Sequence, residues 1–434
     1  MDFKTSHSFA ESLDSQDPLA RLRERFVIAD PGMVYLDGNS LGRLAHASQE
    51  RLEQLVEQEW GRGLIRGWND NWWEAPVRVG EKIAHLVGAA AGQVVVCDTV
   101  SVNLFKLAAA ALALRPSRTR IITDTLNFPS DLYILQGLIH LLASFSSQED
   151  RRGGHQHTIL RIGSRDGDIT PDLEGLAAAL DDTTALLTLS HVTFKSGYLY
   201  DMAAVTELAH RHGALVLWDL SHSAGAVPVV LDACNADFAI GCTYKYLNGG
   251  PGSPAFLYVC KNLQEQVLSP IWGWWGQNAP FAFGLDYQPA AGVARFLSGS
   301  QPILSLLAME AALDPLLEAG MEALRAKSLL LSEYLLYLSD TVLAPLGFRI
   351  GSPRNPEWRG SHVSLRHPEG YRINRALIEE MNVLPDFREP DNLRLGLTPL
   401  YTTFGEVWEG VERIRQVVQE KRYEKYPVQR LTVT

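Results

Sequence analysis

A lysine flanked by two tyrosines, Tyr244-Lys245-Tyr246, follows the short apolar run Phe238–Gly241 and precedes Asn248-Gly249-Gly250-Pro251-Gly252. An amine sheltered by rings and partly removed from water loses its proton more readily than a solvated one, so Lys245 is a candidate Schiff-base former. A second apolar run, Ala214–Trp218, leads into Asp219 and then Ser221-His222-Ser223-Ala224-Gly225. If both runs are strands of one open α/β sheet, the carboxylate and the lysine face the same crevice at the carboxyl edge, where such sheets bind ligands. Lys195, in His191-Val192-Thr193-Phe194-Lys195-Ser196-Gly197, also follows a strand-like run, and Lys106 lies in a helical pattern. Neither precedes a glycine cluster that would let a bulky cofactor approach the backbone. By itself Lys245 would read as a solvated loop lysine, as most lysines are; its setting makes it the stronger candidate.

An aldehyde cofactor with a phosphate tail needs an anion cup. Thr99-Val100-Ser101-Val102-Asn103 offers hydroxyls and a helix cap before the helical pattern Val102–Leu114, where backbone N–H groups favour an anion. Ser101 serves equally as a plain helix cap. In Asn127-Phe128-Pro129-Ser130-Asp131, Phe128 is placed to cover one face of a ring, although a lone phenylalanine is more often core. Arg394 alternates with Leu393 and Leu395; on a strand's other face it can bind a carboxylate by two parallel hydrogen bonds, or form a surface salt bridge. Two tryptophan clusters, Trp68/Trp72/Trp73 and Trp272/Trp274/Trp275, suit a ligand wall or a subunit interface as well as packing. The glycines after Lys245 are no Walker loop, and no G-x-G-x-x-G joins the first strand to a helix, which counts against a nicotinamide oxidoreductase. The pairs His155/His157 and His210/His212 are poorly spaced for a metal, and no metal is expected.

The elements that must position these groups follow from hydrophobic periodicity. Short apolar runs at Val94–Cys97, Arg120–Thr123, Ala185–Leu189, Ala214–Trp218, Phe238–Gly241 and Ala255–Val259 alternate with helical stretches at Val102–Leu114, Ser130–Ala143, Asp172–Leu180 and Ala203–His212. This alternation predicts a mostly parallel sheet flanked by helices. Two further helices are expected at Leu44–Glu59 and Val77–Val87. A nearly continuous helical pattern, Pro302 to Asp340, leads to a smaller α+β domain: a strand near Ser361–Leu365, a helix near Tyr371–Met381, a strand at Asn392–Leu397, and a last helix opened by the Thr403/Glu406 capping box. The expected division is an N-terminal arm and segment packing on the small domain (1–55), a large domain (56–312) and a small domain (313–434). Arg151-Arg152-Gly153-Gly154 reads as a solvated loop tip.

Composition sets the outer limits. With 434 residues, 46% hydrophobic and 21% charged, the chain is of ordinary globular type. A net charge of −11 disfavours a phosphate-tracking nucleic-acid binder. The four cysteines form no C-x-x-C pair and read as buried thiols. The polar start lacks a secretory pattern, and the richest apolar stretch, Leu107 to Leu114, is too short to span a bilayer. A cytoplasmic protein without membrane or nucleic-acid partners is expected.

Several of these segments together resemble the kynureninase family of pyridoxal-phosphate enzymes, which have the aspartate-aminotransferase-like fold (fold type I). The resemblance runs from Tyr35 nearly to the end. It rests on Leu36-Asp37-Gly38-Asn39-Ser40-Leu41-Gly42, Asn127-Phe128-Pro129-Ser130-Asp131, Trp218-Asp219-Leu220-Ser221-His222-Ser223-Ala224-Gly225, Gly241-Cys242-Thr243-Tyr244-Lys245-Tyr246-Leu247-Asn248-Gly249-Gly250, Gly360-Ser361-His362-Val363 and Thr398-Pro399-Leu400-Tyr401. Tyrosine before the lysine sets the chain apart from cysteine desulfurases, which carry histidine there.

The resemblance implies that Lys245 carries pyridoxal 5'-phosphate and Asp219 pairs with its pyridine nitrogen. Phe128 would stack on the ring, with Asp131 and His222 close by. Val100, Ser101 and Tyr244 would hold the phosphate. Arg394 would bind the substrate α-carboxylate, and Asn39, Ser40 and Trp68 would line the substrate pocket. Trp274 and Ser300 match positions that reach across from a second subunit, which implies a homodimer with shared active sites. The implied reaction is hydrolysis of L-kynurenine to anthranilate and L-alanine, with Tyr244 as a proton donor. Where the family often reads Gly-Trp-Phe-Gly-His, this chain has Gly273-Trp274-Trp275-Gly276-Gln277, which leaves room for a ring-substituted kynurenine such as the 3-hydroxy form. The rival readings are a fold-related aminotransferase or β-eliminating lyase, and a catalytically silent cofactor-binding scaffold.

Overall fold

The computed structural model describes residues 2–145 and 156–429. The Arg151–Gly154 tip and His155 fall outside the described residues. Among the described residues thirteen strands are formed: β1 (Val34–Tyr35), β2 (Val94–Val96), β3 (Arg120–Asp124), β4 (Thr158–Ile162), β5 (Thr184–Ser190), β6 (Leu215–Asp219), β7 (Phe238–Gly241), β8 (Phe256–Val259), β9 (Arg349–Ile350), β10 (His362–Arg366), β11 (Val383–Leu384), β12 (Asp386–Arg388) and β13 (Asn392–Gly396). Seven of them build one sheet in the order β2-β8-β7-β6-β5-β3-β4. β3 to β7 run parallel, and β8 lies antiparallel between β2 and β7.

Every residue of β5 and β6 is buried. Their apolar runs do not alternate because helices cover both faces of the sheet. Val216 and Trp218 point into a core shared with Val79 and Ile83 of the helix Ala75–Leu86. Leu215 and Leu217 point the other way, into a core shared with Leu104, Leu107 and Leu135 of the helices Val100–Leu114 and Pro129–Phe145. A third core joins Ala10, Leu13, Val34 and Leu36 to the C-terminal elements. These are the long helix Met321–Leu338, the antiparallel sheet β12-β13-β10-β9 and the helix Phe404–Gln419. The Thr403/Glu406 capping box opens that last helix as expected.

Four departures from the expected elements have local causes. β4 is an edge strand whose burial does not alternate, so it leaves no period-two signal. The stretch expected as one helix from Pro302 is three, divided at Leu313 and at Gly320, which sits at φ +75°. The expected helix Leu44–Glu59 is regular only over His46–Gln54 and then widens through Leu55–Gly63. The apolar stretch that matters for a bilayer is not Leu107–Leu114 but Met321–Leu346, whose 26 residues are long and apolar enough to cross one. Its Leu324, Leu331, Leu335 and Leu338 are buried in the cores just described.

Candidate active site

β6 ends at Asp219, and two residues beyond its neighbour β7 the chain turns into Thr243-Tyr244-Lys245. The loop is closed on itself. Asn248 N–H donates to Lys245 O at 2.9 Å, Gly249 N–H donates to Thr243 O at 2.8 Å, and the Thr243 hydroxyl donates to Pro254 O at 2.6 Å. Asn248, Gly250 and Gly252 sit at φ +56°, +83° and +75°. The cluster therefore serves the turn, and of its glycines only Gly252 lines the cavity, rather than the cluster as a whole opening a path to the backbone. From the N-terminal segment, Gly42 N–H donates to Tyr244 O at 2.8 Å. A Cβ on Gly42 would stand 2.4 Å from Lys245 O, so glycine permits this close approach.

Lys245 Nζ lies 3.0 Å from His222 Nε2 and 5.8 Å from the Tyr244 ring centroid. Burial, then the Lys245 charge, holds the His222 imidazole well below the usual histidine range, so it stays neutral. Asp219 Oδ1 accepts from the Ser221 N–H at 2.8 Å and its hydroxyl at 2.6 Å. Burial raises the Asp219 carboxyl, and burial together with the Asp219 charge raises Asp131 further. Two buried neighbouring carboxyls oppose each other's ionisation, and Asp131 is the one raised more. Its Oδ2 and His222 Nδ1 have no hydrogen-bond partner.

These groups share a cavity of about 430 Å³ with Thr99, Val100, Ser101, Phe128, Ser130, Tyr244, Ser40, Arg388 and Arg394. At its anion end stands the helix Val100–Leu114. The cap is Thr99, whose hydroxyl accepts from Val102 N–H, and not Ser101, which lies in the first turn with its Oγ 3.2 Å from Ser130 Oγ. Phe128 is 43% exposed and meets Phe194 edge-on at 5.2 Å, so it faces the cavity instead of the core. Asn127 fixes that turn by accepting from Phe128 N–H at 2.9 Å and from the Ser190 hydroxyl at 2.6 Å. The neighbouring Cys242 thiol, whose own ionisation would compete, and then burial push the Tyr244 phenol up, so it remains a donor. The rival lysines are elsewhere. Lys106 is wholly buried on Asp98 and the Phe296 carbonyl, and Lys195 pairs with Asp168 at 3.4 Å.

The opposite wall comes from the small sheet. Arg394 is buried, not the surface salt bridge that its strand alone would allow. Its Nε donates to Asp386 Oδ1 at 2.9 Å, its Nη2 to Asp386 Oδ2 and to Ser40 Oγ at 2.9 Å, and its Nη1 to Phe194 O at 2.5 Å. Asn39, its amide oxygen turned to Arg394, accepts from Nε at 2.7 Å. Asp386 and Arg388 were missed by the sequence reading. The sequence around them, Asp386-Phe387-Arg388, is too short an alternation to mark a strand, and only the register shows Asp386 opposite Arg394.

Trp68, Trp274 and Ser300 do not line this cavity. Trp68 packs edge-on against Trp274 at 5.9 Å and Trp275 at 5.2 Å, beside a separate depression of about 270 Å³. Ser300 is exposed. Gln277 holds its own loop: Oε1 accepts from Asn278 N–H at 2.8 Å and Gln288 N–H at 2.9 Å.

A family model for the kynureninase C-terminal domain matches residues 324–414. Kynureninase of Burkholderia pseudomallei strain K96243 is 45% identical over 419 residues, 95% of this chain and 96% of its own. That of Pseudomonas fluorescens is 45% identical over 424 residues, 96% of this chain and 97% of its own. Among solved structures, the apo cysteine desulfurase of Thermococcus onnurineus superposes with a TM-score of 0.77 at 17% identity, covering 92% of this chain and 98% of that one. A C-DES lysine-to-alanine variant with glycine covalently linked to its pyridoxal-phosphate cofactor gives 0.76 at 18%, covering 91% and 98%. At that distance these structures speak for the fold, which is the expected fold type I. Identity of 45% sustained over 95% of the sequence speaks for descent as well, and the chain belongs to the kynureninase family.

Proposed function

We propose that this enzyme hydrolyses the Cβ–Cγ bond of L-kynurenine, giving anthranilate and L-alanine, with pyridoxal phosphate as cofactor. The observation that carries the reading is Lys245 Nζ held 3.0 Å from a neutral His222 in the cavity that Asp219 and Arg394 also line. The cavity suits the cofactor by its own chemistry: an amine, a helix N-terminus with hydroxyls, and the unpartnered Asp131 Oδ2 all belong to one space. Bound there, pyridoxal phosphate supplies an electron sink for charge developing on the substrate.

In this reading Lys245 anchors the cofactor and then carries the substrate's Cα proton. Asp219 holds the pyridine nitrogen protonated, supported by the two Ser221 donors. Val100, Ser101 and Tyr244 hold the phosphate, Phe128 covers the ring, and Asp131 and His222 border it. Tyr244 keeps its proton to donate. Arg394 binds the α-carboxylate beside Ser40 and Asn39. Water adds at the γ-carbonyl and the C–C bond breaks as the gem-diol collapses.

Trp274 and Ser300 reach into the partner's cavity of a homodimer, and Trp68, packed against Trp274, belongs to the wall of the substrate pocket completed there. Support comes from the exposed apolar surface around them: Trp272, Trp274, Phe281, Phe283 and Leu285 are all exposed. A cytoplasmic location and use of 3-hydroxykynurenine belong to the same proposal. The holoenzyme should convert L-kynurenine to fluorescent anthranilate and equimolar alanine without a keto acid. Borohydride reduction should label the Lys245 peptide. A keto-acid requirement, or label on another lysine, would overturn the reading.

A further inference from the structure

Asp386 already occupies the fork of Arg394 that an amino-acid carboxylate needs. It takes Nε, which the Asn39 amide oxygen shares at 2.7 Å, and Nη2, which Ser40 shares, while Phe194 O takes Nη1. Of the five guanidinium N–H groups this leaves one, so a second carboxylate cannot bind in parallel unless Asp386 gives way. Asp386 is itself buried, so moving it off Arg394 with no other cation to receive it would leave an uncompensated buried charge. A second cation is in place, however. Arg388 Nη2 lies 2.9 Å from Asp386 Oδ2, and Arg388 Nη1 donates to Phe387 O at 2.9 Å. The Arg388 side chain is 32% exposed and lines the cavity, so unlike buried Arg394 it has room to turn.

We propose that Arg388 is a positioning residue for substrate: it receives Asp386 as the α-carboxylate engages Arg394, so that binding exchanges one ion pair for another. Ser40, whose hydroxyl donates to Asp386 Oδ2 at 2.7 Å, steadies the carboxylate through the exchange. The site thereby selects ligands carrying a carboxylate, because an amine lacking one gives Asp386 no reason to leave. This inference rests on the assignment of Arg394 to the substrate carboxylate.

The test titrates the holoenzyme's cofactor absorbance with L-alanine and with L-alaninamide, alongside turnover of L-kynurenine. Arg388→Gln should raise the alanine Kd and the kynurenine KM about tenfold, with kcat within about threefold and alaninamide binding unchanged. Arg388→Lys should recover part of the loss. In the Arg388→Gln background, Asp386→Asn should restore alanine binding, since no carboxylate then competes for Arg394. An equal loss for alanine and alaninamide, or no loss for either, overturns the exchange. Arg394→Lys separates the two levels. If it erases the preference for alanine while Arg388→Gln keeps it, the exchange alone fails; if Arg394→Lys keeps the preference, the carboxylate assignment itself fails.

Discussion

The two halves of the cavity are built on opposite principles. At the strand ends of the large sheet, Asp131 Oδ2 and His222 Nδ1 are buried without partners, and the first turn of the helix Val100–Leu114 offers backbone N–H groups. At the wall formed by the small sheet, Arg394, Asp386, Ser40 and Arg388 are bonded to one another. One half carries unmet polar demand suited to a resident cofactor. In the other, these four side chains meet their demand on one another, which suits a ligand that comes and goes: a buried guanidinium left bare between turnovers would destabilise the fold. The lesson is that a permanent guest and a transient one call for different polar bookkeeping in a single space.

The largest test of the first half is Lys245→Ala. Turnover should fall by at least about four orders of magnitude, since covalent anchoring and proton transfer are lost together. Circular dichroism should be unchanged, because the loop is held by Thr243, Asn248 and Gly249 rather than by the lysine. The corresponding change in the second half is Arg394→Lys, which keeps the charge and loses the fork. Here KM for L-kynurenine should rise about 30-fold with a smaller change in kcat. A larger kcat effect than KM effect would mean that the two halves do not divide the work in this way.

The same contrast explains what could be read in the sequence. Each part of the cofactor half is one strand with the loop after it. Ala214–Gly225 and Phe238–Gly252 therefore displayed Asp219, His222 and Lys245 in contiguous text, and the parallel sheet brought them together. The carboxylate half is assembled across the chain, with Ser40 bonded to Asp386 and Arg394 over separations of 346 and 354 residues. β12 has three residues, too few for a periodic signal, so Asp386 and Arg388 stayed hidden although Arg394 did not. Trp68 shows the opposite limit. Its aromatic character was legible, but within one chain it packs on Trp275 and not in the cavity, and sequence alone does not show which chain's cavity a side chain serves.

Two smaller effects sharpen the comparison. Ser101→Ala removes one hydroxyl, shared with Ser130, from the anion end. It should weaken cofactor retention about fivefold, measured by reconstituting apoenzyme, while KM at saturating cofactor stays put. The smallest effect belongs to Asp37, which lies behind the ion-pair wall and faces Asp386, Ser40 and Arg394, with Tyr35, Tyr401, Arg43 and Arg388 around it. Burial and the Asp386 charge raise its carboxyl to about 7, whereas Arg394 contributes to holding Asp386 at about 2. The sign follows directly. Below about 7 Asp37 is neutral and Arg394 is offset by Asp386 alone; above it a second negative charge opposes an incoming carboxylate. KM should therefore climb about threefold between pH 6 and pH 8, and Asp37→Asn should flatten that limb. Stability moves the same way: a carboxyl with a raised native pKa contributes most below the unfolded value near 4 and loses that contribution as pH passes 7. Asp37→Asn should then narrow the drop in Tm between pH 5 and pH 8. A KM limb that persists in Asp37→Asn would place the titrating group on the cofactor side of the cavity, and the carboxylate half would no longer be electrostatically self-contained.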